Sequence, residues 1–181
     1  PGNRVGWASR HSDRNYLANP VPKILTGKQP MTDYANNVTI LLIEDDDVDA
    51  MAIERGFKKQ EILNPMVRAG DGIVALELLR AGRVASPYII LLDLQMPRMN
   101  GIEFLENLRA DPELKSSVVF VLTTSRNDED ITASYQQNIA GYFVKKRLDA
   151  GFYDIIGLLR DYWNKSCLPG ADPTKSSTTR S

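Results

Sequence analysis

Five short apolar runs, each followed by a stretch of helical periodicity, confine this 181-residue chain to very few architectures. The runs fall at residues 38–43, 65–69, 88–92, 117–122 and 141–144. Short apolar runs with little alternation read as strands covered on both faces. Between them the apolar residues recur at helical spacing. Val48, Met51, Ala52 and Ile53 share one side, with Phe57 further along; Ile73, Leu76 and Leu79 follow, then Leu105 and Leu108, and Ile131 and Tyr135. The last stretch carries Phe152, Ile155, Ile156, Leu159 and Trp163. The first helix is expected from about Asp47. Asp71 and either Asn127 or Asp128 stand where N-caps should, and another helix is expected from about Asn100. Five strand–helix units in a row predict a parallel sheet with helices on both faces. No sequence repeat of solenoid length is present.

The domain is expected over residues 38–165. Residues 1–37 read as a polar tail, or as an extension ahead of Met31, and residues 166–181 as a mobile Ser/Thr/Lys/Pro-rich tail.

In such sheets, sites form in the crevice beyond the carboxyl ends of the strands. The first strand runs into Glu44-Asp45-Asp46, the third into Asp93, the fourth into Thr123-Thr124 and the fifth into Lys145-Lys146. Each has an ordinary explanation alone. An acidic run suits a helix start, a lone Asp caps a helix, threonine favours strands and lysine favours the surface. Asp93 is the hardest to explain so, because it follows Tyr-Ile-Ile-Leu-Leu. The coincidence of all four at equivalent topological positions points to one site. Carboxylates gathered there repel one another and call for a compensating cation. The chemistry suits Mg²⁺, which takes one or two protein carboxylates, keeps water and adds phosphate oxygens.

Composition removes other classes. The single histidine, His11, lies in the polar leader, so a histidine-based triad or zinc site is excluded. The single cysteine, Cys167, allows no internal disulfide, which fits a cytoplasmic protein. Twenty-two basic against 23 acidic residues leave a net charge of -1, which favours neither nucleic acid nor anionic membrane. No apolar run approaches the roughly 20 residues of a membrane span.

Four motifs carry a family resemblance. Leu-Leu-Ile-Glu-Asp-Asp at 41–46, Leu-Leu-Asp-Leu-Gln-Met-Pro-Arg-Met-Asn-Gly at 91–101, Val-Leu-Thr-Thr-Ser at 121–125 and Gly-Tyr-Phe-Val-Lys at 141–145 resemble the receiver domains of two-component response regulators. The resemblance spans roughly residues 38–160. It implies an α/β flavodoxin-like (βα)5 doubly wound sheet with strand order 2-1-3-4-5. It implies Asp93 as phosphoacceptor, Glu44 and Asp45 as the acidic pair binding Mg²⁺, and the backbone carbonyl of Gln95 as a further metal ligand. Thr123 matches the hydroxyl that moves to the phosphoryl group, Lys145 the cation that pairs with acceptor and phosphate, and Tyr142 the aromatic switch. Gly101 matches the glycine ending the loop after the acceptor strand. Asp46 lengthens the acidic run, so the pair could shift by one residue. Lys146 stands where the family usually has a cis proline, and a cis bond before a non-proline residue costs about 3 kcal/mol.

The resemblance further implies a phosphoaccepting signalling protein rather than an enzyme, with a sensor histidine kinase as partner. Arg-Asp-Tyr-Trp-Asn at 160–164 and Leu-Pro at 168–169 are similar to regulators paired with bacterial phytochrome kinases. Too few residues follow 165 for an output core, so output is expected through the fourth helix, fifth strand and fifth helix. Homodimerisation through the final helix, helped by Tyr162 and Trp163 if exposed, is a further expectation. Three alternatives stand beside this one. A phosphorylation-independent adaptor would need none of the site chemistry. A flavodoxin-like cofactor binder would want a Ser/Thr/Gly phosphate loop where this chain has acids. A hydrolase of related topology would need a separate general acid.

Overall fold

The computed structural model describes residues 38–145 and 150–170, with the side chains of 150–152 left aside. The N-terminal tail, Lys146, the Phe152 side chain and the end of the C-terminal tail lie outside the described residues. The elements are β1 (Thr39–Ile43), α1 (Asp47–Lys59), β2 (Met66–Ala69), α2 (Gly72–Arg80), β3 (Tyr88–Leu92), α3 (Gly101–Ala110), β4 (Val118–Thr123), α4 (Asp128–Gln136), β5 (Gly141–Val144) and α5 (Ala150–Lys165). All neighbouring strands are parallel, in the order β2-β1-β3-β4-β5.

Side chains alternate across each strand, so the sheet has two cores. Leu41, Ile43, Ile90, Leu92, Val119 and Val121 face α2 and α3, whose Leu76, Phe104, Leu105 and Leu108 pack on them. Ile40, Leu42, Ile89, Leu91, Phe120 and Leu122 face α1 and α5, meeting Ile53, Phe57, Ile156, Leu159 and Trp163. Each such side chain contributes about 1.5–3 kcal/mol on burial. Phe104 is fully buried between sheet and helices. Its truncation to alanine would cost about 3–5 kcal/mol.

The helix starts follow the predicted caps. Asp71 accepts from the Ile73 and Val74 amides, and Asn127 accepts from Glu129. Asn100 and Glu103 form a reciprocal capping box. The helix faces differ from expectation in three places. In α1 Ala52, Ile53 and Phe57 are buried as expected, with Ala50 and Gly56 beside them, while Val48 is 65% and Met51 50% exposed. Those two project from the side opposite Ala50, Ile53 and Phe57. In α2, Ile73 is 37% exposed, with Ala75 taking the inner position. In α4 only Ser134 is buried, and the shared face of Ile131 and Tyr135 leaves Tyr135 52% exposed.

Tyr162 and Trp163 close the second core. Trp163 is 3% exposed and stacks on Phe57, and Tyr162 meets Phe120 edge to face. Trp163 is therefore unavailable to a partner and Tyr162 is half-buried; among the described side chains of α5, Leu158 is an exposed apolar residue. The packed region also continues past the expected boundary at 165, since Leu168 is buried in the second core. Among the described residues no helix is long and apolar enough to cross a membrane.

Candidate functional site

Backbone pairing extends one residue past the strand ends and delivers the polar groups together. The Glu44 amide donates to the Ala69 carbonyl, the Asp93 amide to Ile43, and the Lys145 amide to Thr123. Glu44, Asp93 and Lys145 thus emerge side by side at the carboxyl edge. Glu44 is 1% and Asp93 7% exposed, whereas Asp45 is exposed.

The Lys145 ammonium lies 2.5 Å from Glu44 Oε2, 2.9 Å from Asp49 Oδ2 and 3.3 Å from Asp93 Oδ2. The other Asp93 oxygen accepts from the Leu94 amide at 2.7 Å. Burial pushes the Glu44 carboxyl up to about 7, against the pull of Lys145. Burial also works against the Lys145 ammonium, but the bonds to Glu44 and Asp49 and the charge of Asp93 outweigh it. They hold its pKa above that of an ordinary lysine.

Glu44, Asp45 and Asp93 each offer one carboxylate oxygen within 4.8 Å of the others. This donor set fits a hard divalent cation: all oxygen, more negative than Lys145 alone can balance, and open to solvent on the Asp45 side. Asp46 stands apart from the group, since its Oδ1 accepts from the amides of Val48 and Asp49 as the cap of α1. Those bonds hold its carboxyl below the usual carboxylate range.

Thr123 is fully buried, and its hydroxyl oxygen accepts from the Ser125 amide at 3.3 Å. The Tyr142 hydroxyl donates to the Ser125 carbonyl at 3.2 Å, and the Ser125 hydroxyl to Asp130 of α4 at 2.5 Å. Thr123, Tyr142 and α4 are therefore joined through one residue. Burial raises the Tyr142 hydroxyl above its ordinary pKa, so it stays protonated as a donor. The Gln95 side-chain oxygen accepts from the Thr124 hydroxyl at 3.0 Å, linking the loops after β3 and β4. A Cβ on Gly101 would lie 2.6 Å from the Asp93 carbonyl oxygen and 2.7 Å from Leu94 Cα, so only glycine lets α3 start this close to the end of β3.

Three supports were not foreseen from the sequence. Asp49 reads as an ordinary first-turn helix acid, yet it bonds Lys145. Arg68 of β2 donates to the carbonyls of Glu44 and Asp45 and to the Asp47 carboxylate, clamping the acidic loop. Arg98 sits in the left-handed region at φ 66° and pairs with buried Asp71, tying the β3–α3 loop to the cap of α2. Long-range partners of arginine leave no local pattern.

A profile of the response regulator receiver domain matches residues 40–153. Response regulator Rcp1 of Synechocystis sp. is 32% identical over 147 residues, which cover 78% of this chain and all of that protein. Its Mn²⁺-bound crystal structure superposes with a TM-score of 0.63, covering 73% of this chain and 99% of that one. The phosphorylated cyanobacterial phytochrome response regulator RcpA is 32% identical with a TM-score of 0.64, covering 74% and 99%. A response regulator in red light signaling of R. palustris is 30% identical with a TM-score of 0.65, covering 74% and 99%.

Proposed function

This chain belongs to the receiver domain family of two-component response regulators, and from that premise we propose that Asp93 accepts a phosphoryl group in the presence of Mg²⁺. The observation that carries the assignment is the shared ammonium: Lys145 bonds both Asp93 and Glu44 where three carboxylates converge. One Asp93 oxygen forms the new P–O bond. The donor's bond to phosphorus breaks, and its electron pair leaves with the donor. A carboxylate is a weak nucleophile, so positioning and charge neutralisation supply most of the catalysis. Glu44, Asp45, Asp93 and the Gln95 carbonyl would hold Mg²⁺, which offsets charge on the transferred oxygens. The cap role of Asp46 favours Glu44 and Asp45 as the acidic pair. Lys145 neutralises a second oxygen, and the Thr123 hydroxyl, poised at the end of β4, turns to a third.

Output follows from the Ser125 junction. Thr123 gives up the Ser125 amide when it turns to the phosphoryl group, and Tyr142, bonded to the same residue, repacks with α4. Phosphate thereby favours one of two packings of α4, β5 and α5, as a population shift. The domain proper starts at residue 38 and includes the turn beyond α5. A sensor histidine kinase is the donor. The relatives named for phytochrome and red light make a bacteriophytochrome the first kinase to try. The protein works in the cytoplasm, has no reaction beyond gaining and losing the phosphoryl group, and forms homodimers through α5 and its neighbours without engaging nucleic acid.

Incubation with Mg²⁺ and acetyl phosphate, followed by intact-mass measurement, tests the core of this. Wild type should gain one phosphoryl mass and Asp93→Asn none. Undiminished labelling of the folded mutant would remove Asp93 from its role, and an unlabelled wild type would favour an adaptor that works without phosphate.

A further inference from the structure

We propose that Asp49 is a positioning residue that tethers the Lys145 ammonium and so restrains the acceptance of phosphate by Asp93. The proposal rests on Asp93 being the acceptor and adds a control to that site. An ammonium has three N–H donors. Lys145 spends them on Glu44, Asp49 and Asp93, at 2.5, 2.9 and 3.3 Å. The contact to the acceptor is the longest of the three. To place a donor on an incoming phosphoryl oxygen, Lys145 must surrender a partner. Glu44 is 1% exposed, so water cannot take the place of the ammonium there. Asp49 is 43% exposed, so water can replace the ammonium there. Asp49 is therefore the partner released.

The position of Asp49 is fixed independently of the ammonium. Its amide donates to Asp46 Oδ1 at 2.9 Å within the α1 cap, and the start of a helix favours an anion. The acidic run thus divides its work: Glu44 and Asp45 face the acceptor, Asp46 caps, and Asp49 holds the lysine back. Asp47 does none of these, because it pairs with Arg68.

The test uses the full chain at saturating Mg²⁺ with acetyl phosphate, timing the mass gain. One Asp93 oxygen takes the phosphoryl group, the acetyl–phosphate P–O bond breaks, and acetate leaves with the electron pair. Asp49→Ala should accelerate labelling about three- to tenfold, a span set by one partly exposed charge-assisted bond. Asp49→Glu should return the rate toward wild type. Glu54→Ala removes the same charge from the same helix, away from the Lys145 cluster, and should leave the rate unchanged. An Asp49→Ala rate at or below wild type would overturn the tether. Equal acceleration by Glu54→Ala would also overturn it, showing bulk charge at work. Wild type that gains no phosphoryl mass would instead overturn the acceptor assignment beneath it.

Discussion

Two cations sit at opposite ends of the same sheet, held by opposite kinds of oxygen. At the carboxyl edge Lys145 meets three carboxylates. At the amino edge Arg109 of α3 donates to four backbone carbonyls: Gln137, Lys115, Ser117 and Asn138, at 2.7, 2.7, 2.9 and 3.1 Å. Carbonyl dipoles keep their charge whatever binds nearby, so Arg109 is a fixed clasp joining α3 to the entrance of β4 and the exit of α4. Carboxylates can be protonated, metallated or phosphorylated, so the Lys145 cluster can be rearranged. At the Arg109 end four of the five guanidinium N–H donors are bonded to carbonyls, while the Lys145 end carries more negative charge than its one cation balances. One edge of the sheet is therefore fixed, and the other can be rearranged.

Of the two edges, the clasp should give the larger effect on stability. Arg109→Met strands four carbonyls and should lower stability by about 3 kcal/mol, allowing for water reaching the outer ones. Chemical denaturation would measure it, and Asp93 labelling should survive wherever the mutant is folded. A loss below about 1 kcal/mol would mean the clasp holds little. Next in size is the metal. Mg²⁺ at ten times its Kd should stabilise the protein by about 1.4 kcal/mol. Asp45→Ala should forfeit most of that gain and Asp46→Ala should keep it. The reverse order would move the acidic pair by one residue. The smallest effect runs the other way. In metal-free buffer Asp93→Asn should raise stability by about 1 kcal/mol, because it relieves repulsion among crowded carboxylates. Destabilisation there would mean that the cluster is balanced after all and that the two edges do not differ as described.

The sequence revealed the reactive edge better than the clasp. Every strand, every helix and the positions of Glu44, Asp45, Asp93, Thr123 and Lys145 followed from periodicity and strand ends, since parallel topology brings those ends together. Helix roll was less legible. Val48, Met51 and Ile73 fit an apolar stripe as well as their neighbours do, yet Ala50 and Ala75 are the residues that turn inward. Tyr162 and Trp163 show the same limit: an aromatic pair near a chain end reads as surface or core until Phe57 and Phe120 are placed against it. Arg68, Arg98 and Arg109 were invisible as supports because their partners are mostly backbone atoms or lie far away in sequence.

The central claim is that phosphate arrives on one carboxylate, Asp93, among four that crowd the same ammonium and acidic loop. Borohydride converts an aspartyl phosphate to homoserine, so the modified position can be read without any mutation. After treatment with acetyl phosphate and Mg²⁺, borohydride reduction and peptide mass spectrometry, homoserine should appear at residue 93 and nowhere else. Homoserine at position 45 or 49, with Asp93 intact, would contradict the account.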